Sequence, residues 1–470
     1  NSAQTLANFA YMVNNNYKNS DSGLLYQDAY VELTANIDLS AHYWTPIGSS
    51  AYSTTSGWWI FSSTTWHPYY FAGSFDGNGY TISGMTINVS GADGIISDYV
   101  SGHTYDYGDE TVNFTFRNCA AIGFFGLTVG ARIKNFNLDN GRISIYSSGN
   151  SNKSLWTHVG AVVGLLSGGS ISNVKNEGVR ISYTQYSGDG ATASYSMMIG
   201  GVIGTTIGGA AVSYCSNSAS ISAYFYGTAK FNEFGVGGIA GAVSYDIYRC
   251  DCSADIYLEA RSSGQIANTG VGFAGIVSLV RSTKGNMWCY KNVFSGTLTY
   301  DVGPGSLINT VGGIVANLLN MSGSRYKVYE CTNYGDIEVT NVYNTFVGGV
   351  VAVNQSNAIE MYSCSNFGDL NLTLNSDNCT DSGYGGILGC SSVNGSYIYN
   401  SANYGDINVR ASKSIRNIGG IAGWILDNGL ITACINHGVI SGSSNSNSVG
   451  GIAGQIGKEY KKGSWFFDVG

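Results

Sequence analysis

The hexapeptide VGGIAG, at Val236–Gly241, decides the fold because the chain repeats it. The same six letters begin again at Val449, and IGGIAG begins at Ile418. Looser copies begin at Ala121, Val159, Ile199, Phe273, Val311, Val347 and Tyr384. The ten starting positions lie 31 to 40 residues apart. Periods of this length are typical of solenoids and propellers.

A second phrase, Cys/Ser-x-Asn-x-Gly-x-Ile, follows the first phrase in each unit. It reads YECTNYGDIEV from Tyr329, YSCSNFGDLNL from Tyr362 and YNSANYGDINV from Tyr399. Its apolar runs are short, rich in β-branched residues and bounded by Gly or Asn, which indicates strands. Three short strands per unit predict one rung of a parallel β-helix. A propeller is the alternative, but its blades need four strands with tight hairpin turns, which do not recur here.

We therefore predict an all-β fold, a right-handed parallel β-helix whose ten repeats occupy residues 121–470. Residues 91–120 form an insert loop, and residues 1–90 form the N-terminal cap and first rungs. Leu6, Phe9, Ala10 and Val13 share one face of a short α-helix, with Ser2 as its N-cap. Such a helix would cover the open end of the solenoid.

Stacked rungs place equivalent side chains in columns about 4.8 Å apart. The Gly-Gly pair would allow tight bends or close backbone approach. Asn333, Asn366, Asn403 and Asn436 are expected at a left-handed turn, each bonded to the next.

A cysteine column is expected at the start of the second phrase. It contains Cys215, Cys250, Cys331, Cys364 and Cys434, with Asn292 and Ser401 in other rungs. Buried free thiols are favoured over Cys215–Cys250 and Cys331–Cys364 disulfides, because parallel Cβ vectors fit the disulfide torsion poorly.

The composition limits the classes of function. The chain has 66 Gly but only 3 Pro, is 13% aromatic and 11% charged, and carries a net charge of −8. This aromatic content predicts a folded chain, and the charge gives no basic face for nucleic acid. No apolar run is long enough for membrane insertion. The opening NSAQTLANFA suits a mature or trimmed chain, and ten cysteines without Cys-x-x-Cys pairs give no zinc pattern.

Three longer stretches resemble the GLUG-motif repeat proteins. They are FAGSFDGNGYTISGMTIN from Phe71, VGAVVGLLSGGSISNVKNEG from Val159 and IGGIAGWILDNGLITACINHGVI from Ile418. The resemblance implies a bacterial secreted or cell-surface protein, and the opening is similar to that of surface proteins of gut anaerobes. Similar repeats occur in IgA-protease-type metallopeptidases, but their His-Glu-x-x-His motif is absent here. The insert Ser49–Phe71 departs from the usual short link of the family.

Catalytic motifs are scarce. The chain has five histidines, no Gly-x-Ser-x-Gly and no Walker A loop, and no cofactor is expected. Polysaccharide cleavage is the serious enzyme alternative, since some β-helices bind and cut glycans. Asp336, Asp369 and Asp406 would form a carboxylate column, but its sameness in every rung indicates a solvated turn. The acidic segment Ser97–Glu110 is interpreted as a solvated loop rather than a Ca²⁺ site.

The aromatic insert at residues 49–71 is the predicted ligand-binding segment. Its candidates are Trp58, Trp59, Trp66, Tyr69 and Tyr70, whose rings could stack on sugars or pack the cap against the first rungs. The leading hypothesis is a monomeric, non-catalytic, adhesin-like solenoid that binds a glycan or a host protein outside the cell. The alternatives are a polysaccharide lyase or glycoside hydrolase, and the stalk of a larger surface protein.

Overall fold

The computed structural model describes most of the chain. It covers residues 1–20, 23–49, 51–56, 63–91, 105–107, 110–112, 119–148, 155–187, 194–227, 230–262, 271–282, 287–303, 309–320, 325–340, 345–355, 358–374, 382–412, 415–443, 446 and 448–457. In these ranges the chain forms an α-helix, Ala3–Asn14, a 3₁₀ turn, Tyr26–Asp28, and β-strands. No helix in the described ranges is both long and apolar enough to span a membrane.

Four parallel sheets, here named I to IV, build the body of the molecule. Sheet I contains Tyr30–Glu32, Ile37–Asp38, Ser74–Asp76, Thr81–Ser83, Arg132–Asp139, Ser170–Asn176, Ala211–Ser213, Ser216–Asn217, Ile247–Tyr248, Asp251–Cys252, Met287–Tyr290, Val293–Phe294, Tyr326–Tyr329, Thr332–Asn333, Ile359–Tyr362, Ser365–Asn366, Tyr397–Tyr399, Ala402–Asn403, Leu430–Thr432 and Ile435–Asn436. Sheet II contains Thr86–Gly91, Gly141–Ser148, Val179–Ser187, Ile221–Gly227, Ile256–Ser262, Leu298–Val302, Ile337–Thr340, Leu370–Leu374, Ile407–Ala411 and Ile440–Ser441.

Sheets III and IV are formed by the first phrase. Sheet III contains Cys119–Ile122, Leu155–Gly160, Ser194–Gly200, Lys230–Gly237, Val271–Ala274, Asn309–Gly312, Thr345–Gly348, Gly383–Gly385, Ile418–Gly419 and Val449–Gly450. Sheet IV contains Phe125–Val129, Val163–Ser167, Ile203–Ile207, Ala240–Val243, Val277–Ser282, Val315–Asn320, Val351–Asn354, Leu388–Ser391, Ala422–Ile425 and Ala453–Ile456. Two antiparallel hairpins stand outside them, Ala51–Ser56 with Ser63–Pro68 and Tyr105–Tyr107 with Glu110–Val112.

The chain passes through sheets III, IV, I and II and then returns to sheet III one rung further along. Val236 therefore pairs with Phe273, and Phe273 with Val311, so successive copies of the first phrase lie side by side. The predicted parallel β-helix is confirmed. A later rung carries five strand segments instead of the expected three, because corners divide the first phrase between two sheets and divide sheet I in two. A continuous apolar core runs inside, from Leu6 to Ala422.

The glycines of VGGIAG are required by space. A Cβ on Gly237 would lie 2.1 Å from the carbonyl oxygen of Ala240 across the corner. On Gly238 it would lie 2.0 Å from the carbonyl oxygen of Gly275 in the next rung. On Gly241 it would lie 2.7 Å from a backbone nitrogen of the preceding rung, where sheets III and IV pack together. None of the three has a positive φ, so close approach explains them rather than left-handed backbone.

The asparagines of the second phrase form the predicted ladder. The Nδ2 of Asn333 donates to Oδ1 of Asn366 at 2.7 Å, and Asn366 donates to Asn403 at 2.7 Å. Asn403 donates to Asn436 at 2.8 Å. Asn333, Asn366 and Asn403 are fully buried, so each amide replaces its bonds to water with bonds along the solenoid.

The expectation that these asparagines adopt a left-handed conformation is wrong. Left-handed backbone occurs three residues earlier in each rung, with φ between 47° and 54° at Tyr214, Arg249, Lys291, Glu330, Ser363, Asn400 and Ala433. These residues turn the chain between the two strands of sheet I. The asparagine itself is extended at the end of the second strand, where its amide bonds to the asparagine of the next rung.

The cysteine column also forms, and its thiols are free. None of the eight cysteines whose surroundings the structure describes forms a disulfide, which excludes the Cys215–Cys250 and Cys331–Cys364 pairs. Burial raises the pKa of Cys364 well above its usual range, so the thiol stays protonated at neutral pH. The column behaves as a row of small buried side chains.

The N-terminal helix is confirmed as a cap. The backbone nitrogen of Thr5 donates to Oγ of Ser2 at 3.2 Å, which makes Ser2 the N-cap. The helix packs on the first rungs through its buried face and through Phe9, whose ring meets that of Phe71 edge to face at 5.9 Å. At its end, Oδ1 of Asn14 accepts a bond from the backbone nitrogen of Gly48 at 2.7 Å.

A buried histidine makes stability depend on pH. His158 in sheet III lies with Nδ1 2.7 Å from Oγ1 of Thr205, and burial, with help from the Arg281 cation, lowers its pKa to about 3. The unfolded chain takes up a proton near pH 6.5 that the folded chain does not. Stability is therefore fully present above that pH and is lost as pH falls, by about 1.4 kcal/mol per unit.

We expect urea unfolding to give a free energy about 1.6 kcal/mol lower at pH 5 than at pH 6.5. The His158→Gln variant has no proton to gain and should lack this loss. If wild type and variant lose the same stability over this interval, His158 is not its source.

Candidate functional site

The predicted binding residues of the aromatic insert receive little structural description. Trp58 and Trp59 lie outside the described residues. Trp66 belongs to the strand Ser63–Pro68 of the first hairpin. Tyr69 and Tyr70 are half-buried, and Tyr70 packs against an apolar cluster on sheet IV. Packing against this cluster explains the position of the Tyr70 ring. Ligand binding by the insert stays a prediction.

The carboxylate column predicted at Asp336, Asp369 and Asp406 has a structural task. Oδ1 of Asp336 accepts a bond from the backbone nitrogen of Asp369 at 2.9 Å. Asp369 does the same for Asp406 at 2.8 Å, and Asp406 for Val439 at 2.8 Å. Each carboxylate thus satisfies a backbone donor of the next rung at the corner between sheets I and II. These hydrogen bonds explain the column of carboxylates without a catalytic role.

The acidic segment Ser97–Glu110 is described only in part. The backbone of Tyr105–Tyr107 pairs antiparallel with Glu110–Val112, so the predicted loop contains a short hairpin. Asp98 and Asp109 lie outside the described residues. Within the described part of the chain, no group of three His, Cys, Asp or Glu side chains could hold a metal ion.

Sheet I presents a row of aromatic side chains to solvent that the sequence analysis did not identify. One column aligns Tyr248, Tyr290, Tyr329, Tyr362 and Tyr399 in register across five rungs. A second column, two residues earlier, aligns Trp288, Lys327, Glu360 and Tyr397. These nine residues are here named the tyrosine face. Five rungs span about 19 Å.

The rings of the tyrosine face are tilted relative to one another, and cations lie over three of them: Lys327 over Trp288, Lys291 over Tyr290 and Arg325 over Tyr397. Trp288 and Tyr329 meet at 84° with centroids 5.2 Å apart, and Tyr329 and Tyr362 meet at 56° and 5.8 Å. Trp288 is 37% exposed and Tyr362 is 46% exposed. Partly exposed rings with a polar hydroxyl offer both apolar and hydrogen-bonding surface to a ligand.

Charged side chains contact the rings of this face. Nη1 of Arg325 lies 2.5 Å from Oε1 of Glu360, whose other oxygen accepts a bond from the Tyr329 hydroxyl at 3.2 Å. The Lys327 ammonium lies 4.6 Å from the centroid of the Trp288 ring. Burial and the neighbouring Glu360 raise the pKa of Tyr329, so its hydroxyl remains a donor. Tyr329 and Trp288 are therefore each held by a contact with a charged side chain, which lowers the entropy cost of binding.

A second aromatic row, here named the corner stack, differs in geometry. Tyr334, Phe367, Tyr404 and His437 stack with centroids 4.9, 4.6 and 5.0 Å apart and interplanar angles of 14°, 5° and 11°. Each ring covers the flat side of the next, so the inner rings offer only edges to solvent. The corner stack therefore links successive rungs and is less suited to stacking on a ligand.

Sheet II carries a cluster that does not repeat along the chain. Nη2 of Arg261 lies 2.6 Å from Oδ2 of Asp301, and the Tyr257 hydroxyl donates to Oε2 of Glu259 at 2.8 Å. Two carboxylates with an arginine meet the composition that a glycan-cleaving site requires. Burial and the bond to Glu259 raise the pKa of Tyr257 to about 12, so Tyr257 is a donor and not a base. Both carboxylates are already bonded to protonated partners, which favours packing over base catalysis.

The tyrosine face had a signal in the sequence. Tyr329, Tyr362 and Tyr399 each open a copy of the second phrase, so they recur with the repeat. A residue that recurs with the repeat indicates fold, so the sequence pattern alone does not mark these tyrosines as binding residues.

Compared with known proteins, the chain matches no family model, no curated protein and no solved structure.

Proposed function

We propose that the chain is a non-catalytic, adhesin-like binding solenoid that holds an extended glycan along the tyrosine face. The observation that supports this most directly is the register of five tyrosines on the solvent side of sheet I. The GLUG-type resemblance supports a secreted or cell-surface location in a gut bacterium.

A linear polymer suits this surface because the polymer repeats a sugar unit and the surface repeats an aromatic side chain. Each rung offers the same aromatic contact about 4.8 Å from the last, so a polymer gains a similar contact at each step. The Tyr329 hydroxyl donates to Glu360, which also pairs with Arg325, and Lys327 places a cation beside the Trp288 ring. A face of this mixed polarity favours a hydroxyl-rich ligand over the apolar core of a protein interface.

The double variant Tyr329→Ala/Tyr362→Ala is expected to weaken glycan binding roughly 10- to 30-fold, because each lost ring contact contributes about 1 kcal/mol. A glycan and mucin array would identify the ligand, and calorimetry would then give its dissociation constant. The matched control is Tyr146→Ala/Tyr186→Ala, which removes two tyrosines of sheet II that are 49% and 50% exposed.

Equal affinity in the two double variants would contradict binding at the tyrosine face. Wild-type binding to deglycosylated mucin but not to released glycans would replace the glycan with a protein partner. Release of unsaturated products from uronic-acid polysaccharides, followed by absorbance, would overturn the non-catalytic assignment.

A further inference from the structure

A polar groove of about 850 Å³ opens at the corner between sheets I and II in the N-terminal half of the solenoid. Arg142 and Arg180 line it together with Asp139, Glu177 and Asp255. This groove is separate from the tyrosine face and from the aromatic insert. Both arginines are exposed, so their guanidinium groups are accessible to a ligand.

The two arginines are direct neighbours. Arg142 pairs in register with Arg180 across parallel strands of sheet II. Neither forms an ion pair with another residue that the structure describes. Like charges directly opposite each other destabilise a sheet, and an anion between them removes that repulsion. The planar guanidinium fork matches the oxygens of a carboxylate or sulfate.

The acidic side chains of the groove limit which anion fits. Oδ1 of Asp139 accepts a bond from the backbone nitrogen of Asn140 at 2.7 Å, and Oδ1 of Asp255 from that of Thr297 at 3.1 Å. These carboxylates and Glu177 would repel a densely charged polyanion. Their remaining oxygens can accept bonds from hydroxyl groups. The groove therefore suits a single anionic group surrounded by hydroxyls, which is the chemistry of a uronic acid or a sulfated sugar.

The groove is in line with the corner stack, which lies five residues after the tyrosine column in each rung. The corner column that begins with Asp139 and Glu177 continues through Ser218, Ser253 and Ser295 to Tyr334 of the corner stack. Backbone bonds connect it rung by rung, from Ser218 to the Asn176 carbonyl at 2.9 Å and from Tyr334 to the Phe294 carbonyl at 2.7 Å. Four rung steps, about 19 Å, separate Glu177 from Tyr334. The three serines leave a low floor that a polymer could follow.

We infer that Arg142 and Arg180 bind the carboxylate or sulfate of an acidic sugar residue, so that the glycan ligand is an acidic polysaccharide. This inference rests on the proposed function, because it names the class of polymer that the solenoid holds. Hydroxyl groups of the same sugar residue would donate hydrogen bonds to the carboxylates of Glu177 and Asp255.

The test compares polymers that differ only in charge. Polygalacturonate is paired with its methyl ester, and chondroitin sulfate with desulfated, carboxyl-esterified chondroitin. Wild type is expected to bind one acidic polymer at least about tenfold more tightly than its neutral partner, since charge-assisted bonds contribute about 1.5–3 kcal/mol. Arg142→Gln/Arg180→Gln should abolish this preference. The control Arg132→Gln/Arg410→Gln changes the net charge equally at exposed sites outside the groove and should keep it.

Each other outcome is decisive. An unchanged preference in Arg142→Gln/Arg180→Gln, or equal wild-type binding of charged and neutral polymers that still depends on Tyr329 and Tyr362, overturns the acidic-ligand inference and leaves the proposed function standing. If no polysaccharide binds, the proposed function fails, and the groove is tested with sodium sulfate alone. Sulfate should then raise the melting temperature of wild type more than that of Arg142→Gln/Arg180→Gln, and equal shifts overturn the anion site.

Discussion

Replacing Gly349 with alanine is expected to lower the free energy of unfolding by about 3 kcal/mol or more. Gly349 is the second glycine of the first phrase in its rung. A Cβ there would lie 2.1 Å from the carbonyl oxygen of Gly386 in the next rung and 2.4 Å from Cγ of Asn366. The first atom belongs to the rung-to-rung backbone and the second to the buried ladder. Neither can move without breaking hydrogen bonds, so the clash has no inexpensive relief.

The last described copy of the phrase supplies a matched control. Gly451 holds the same position in VGGIAG from Val449, but no heavy atom of the described residues lies within 4 Å of a Cβ built there. Gly451→Ala should leave stability unchanged or raise it slightly, because alanine restricts the unfolded chain. Urea unfolding followed by circular dichroism would measure both. If the two variants unfold at the same urea concentration, rung contact is not what requires glycine at this position.

The variant Asn366→Ala is expected to cost about 2–4 kcal/mol. Asn366 donates to Oδ1 of Asn403 at 2.7 Å and to the Gly368 carbonyl at 2.8 Å, and it accepts from Asn333 at 2.7 Å. The substitution leaves these buried partners unsatisfied on both sides of the rung. It also interrupts a chain of amides in which each bond polarises the next.

A second asparagine in the same rung tests whether burial is the cause. Asn371, on the outer side of sheet II, donates to Glu338 at 2.8 Å and accepts from Asn408 at 3.0 Å. Water can replace both bonds, so Asn371→Ala should cost less than about 1 kcal/mol in the same urea experiment. A loss as large as that of Asn366→Ala would mean that any ladder bond, buried or exposed, contributes equally.

The repeat made most of the fold predictable. The spacing of VGGIAG and of the Asn-x-Gly phrase predicted stacked parallel rungs, the asparagine ladder and the free cysteine column. The left-handed corner was placed wrongly because Tyr214, Glu330 and Ser363 are not residue types that indicate left-handed backbone. Their conformation is imposed by the rungs on either side, which a local pattern does not contain.

The candidate site was harder to predict for a different reason. Whether Tyr329 or Tyr362 faces the core or solvent depends on which residue of the strand begins each rung, and that register is set by the corners. Both tyrosines also recur with the repeat, so their pattern carries the same signal as a core column. The relative tilt of neighbouring rings distinguishes the tyrosine face from the corner stack. This tilt is visible only in the three-dimensional structure.

The ladder of single rungs has a consequence for how such a protein can change. Each rung bonds only to the rung before and the rung after, and Asn333 to Asn366 to Asn403 is the same junction twice. Duplicating or deleting one whole unit in this part of the solenoid therefore preserves the asparagine junction. The tyrosine face would lengthen or shorten by one tyrosine, about 4.8 Å, each time. The number of repeat units therefore sets the length of polymer that the chain can bind.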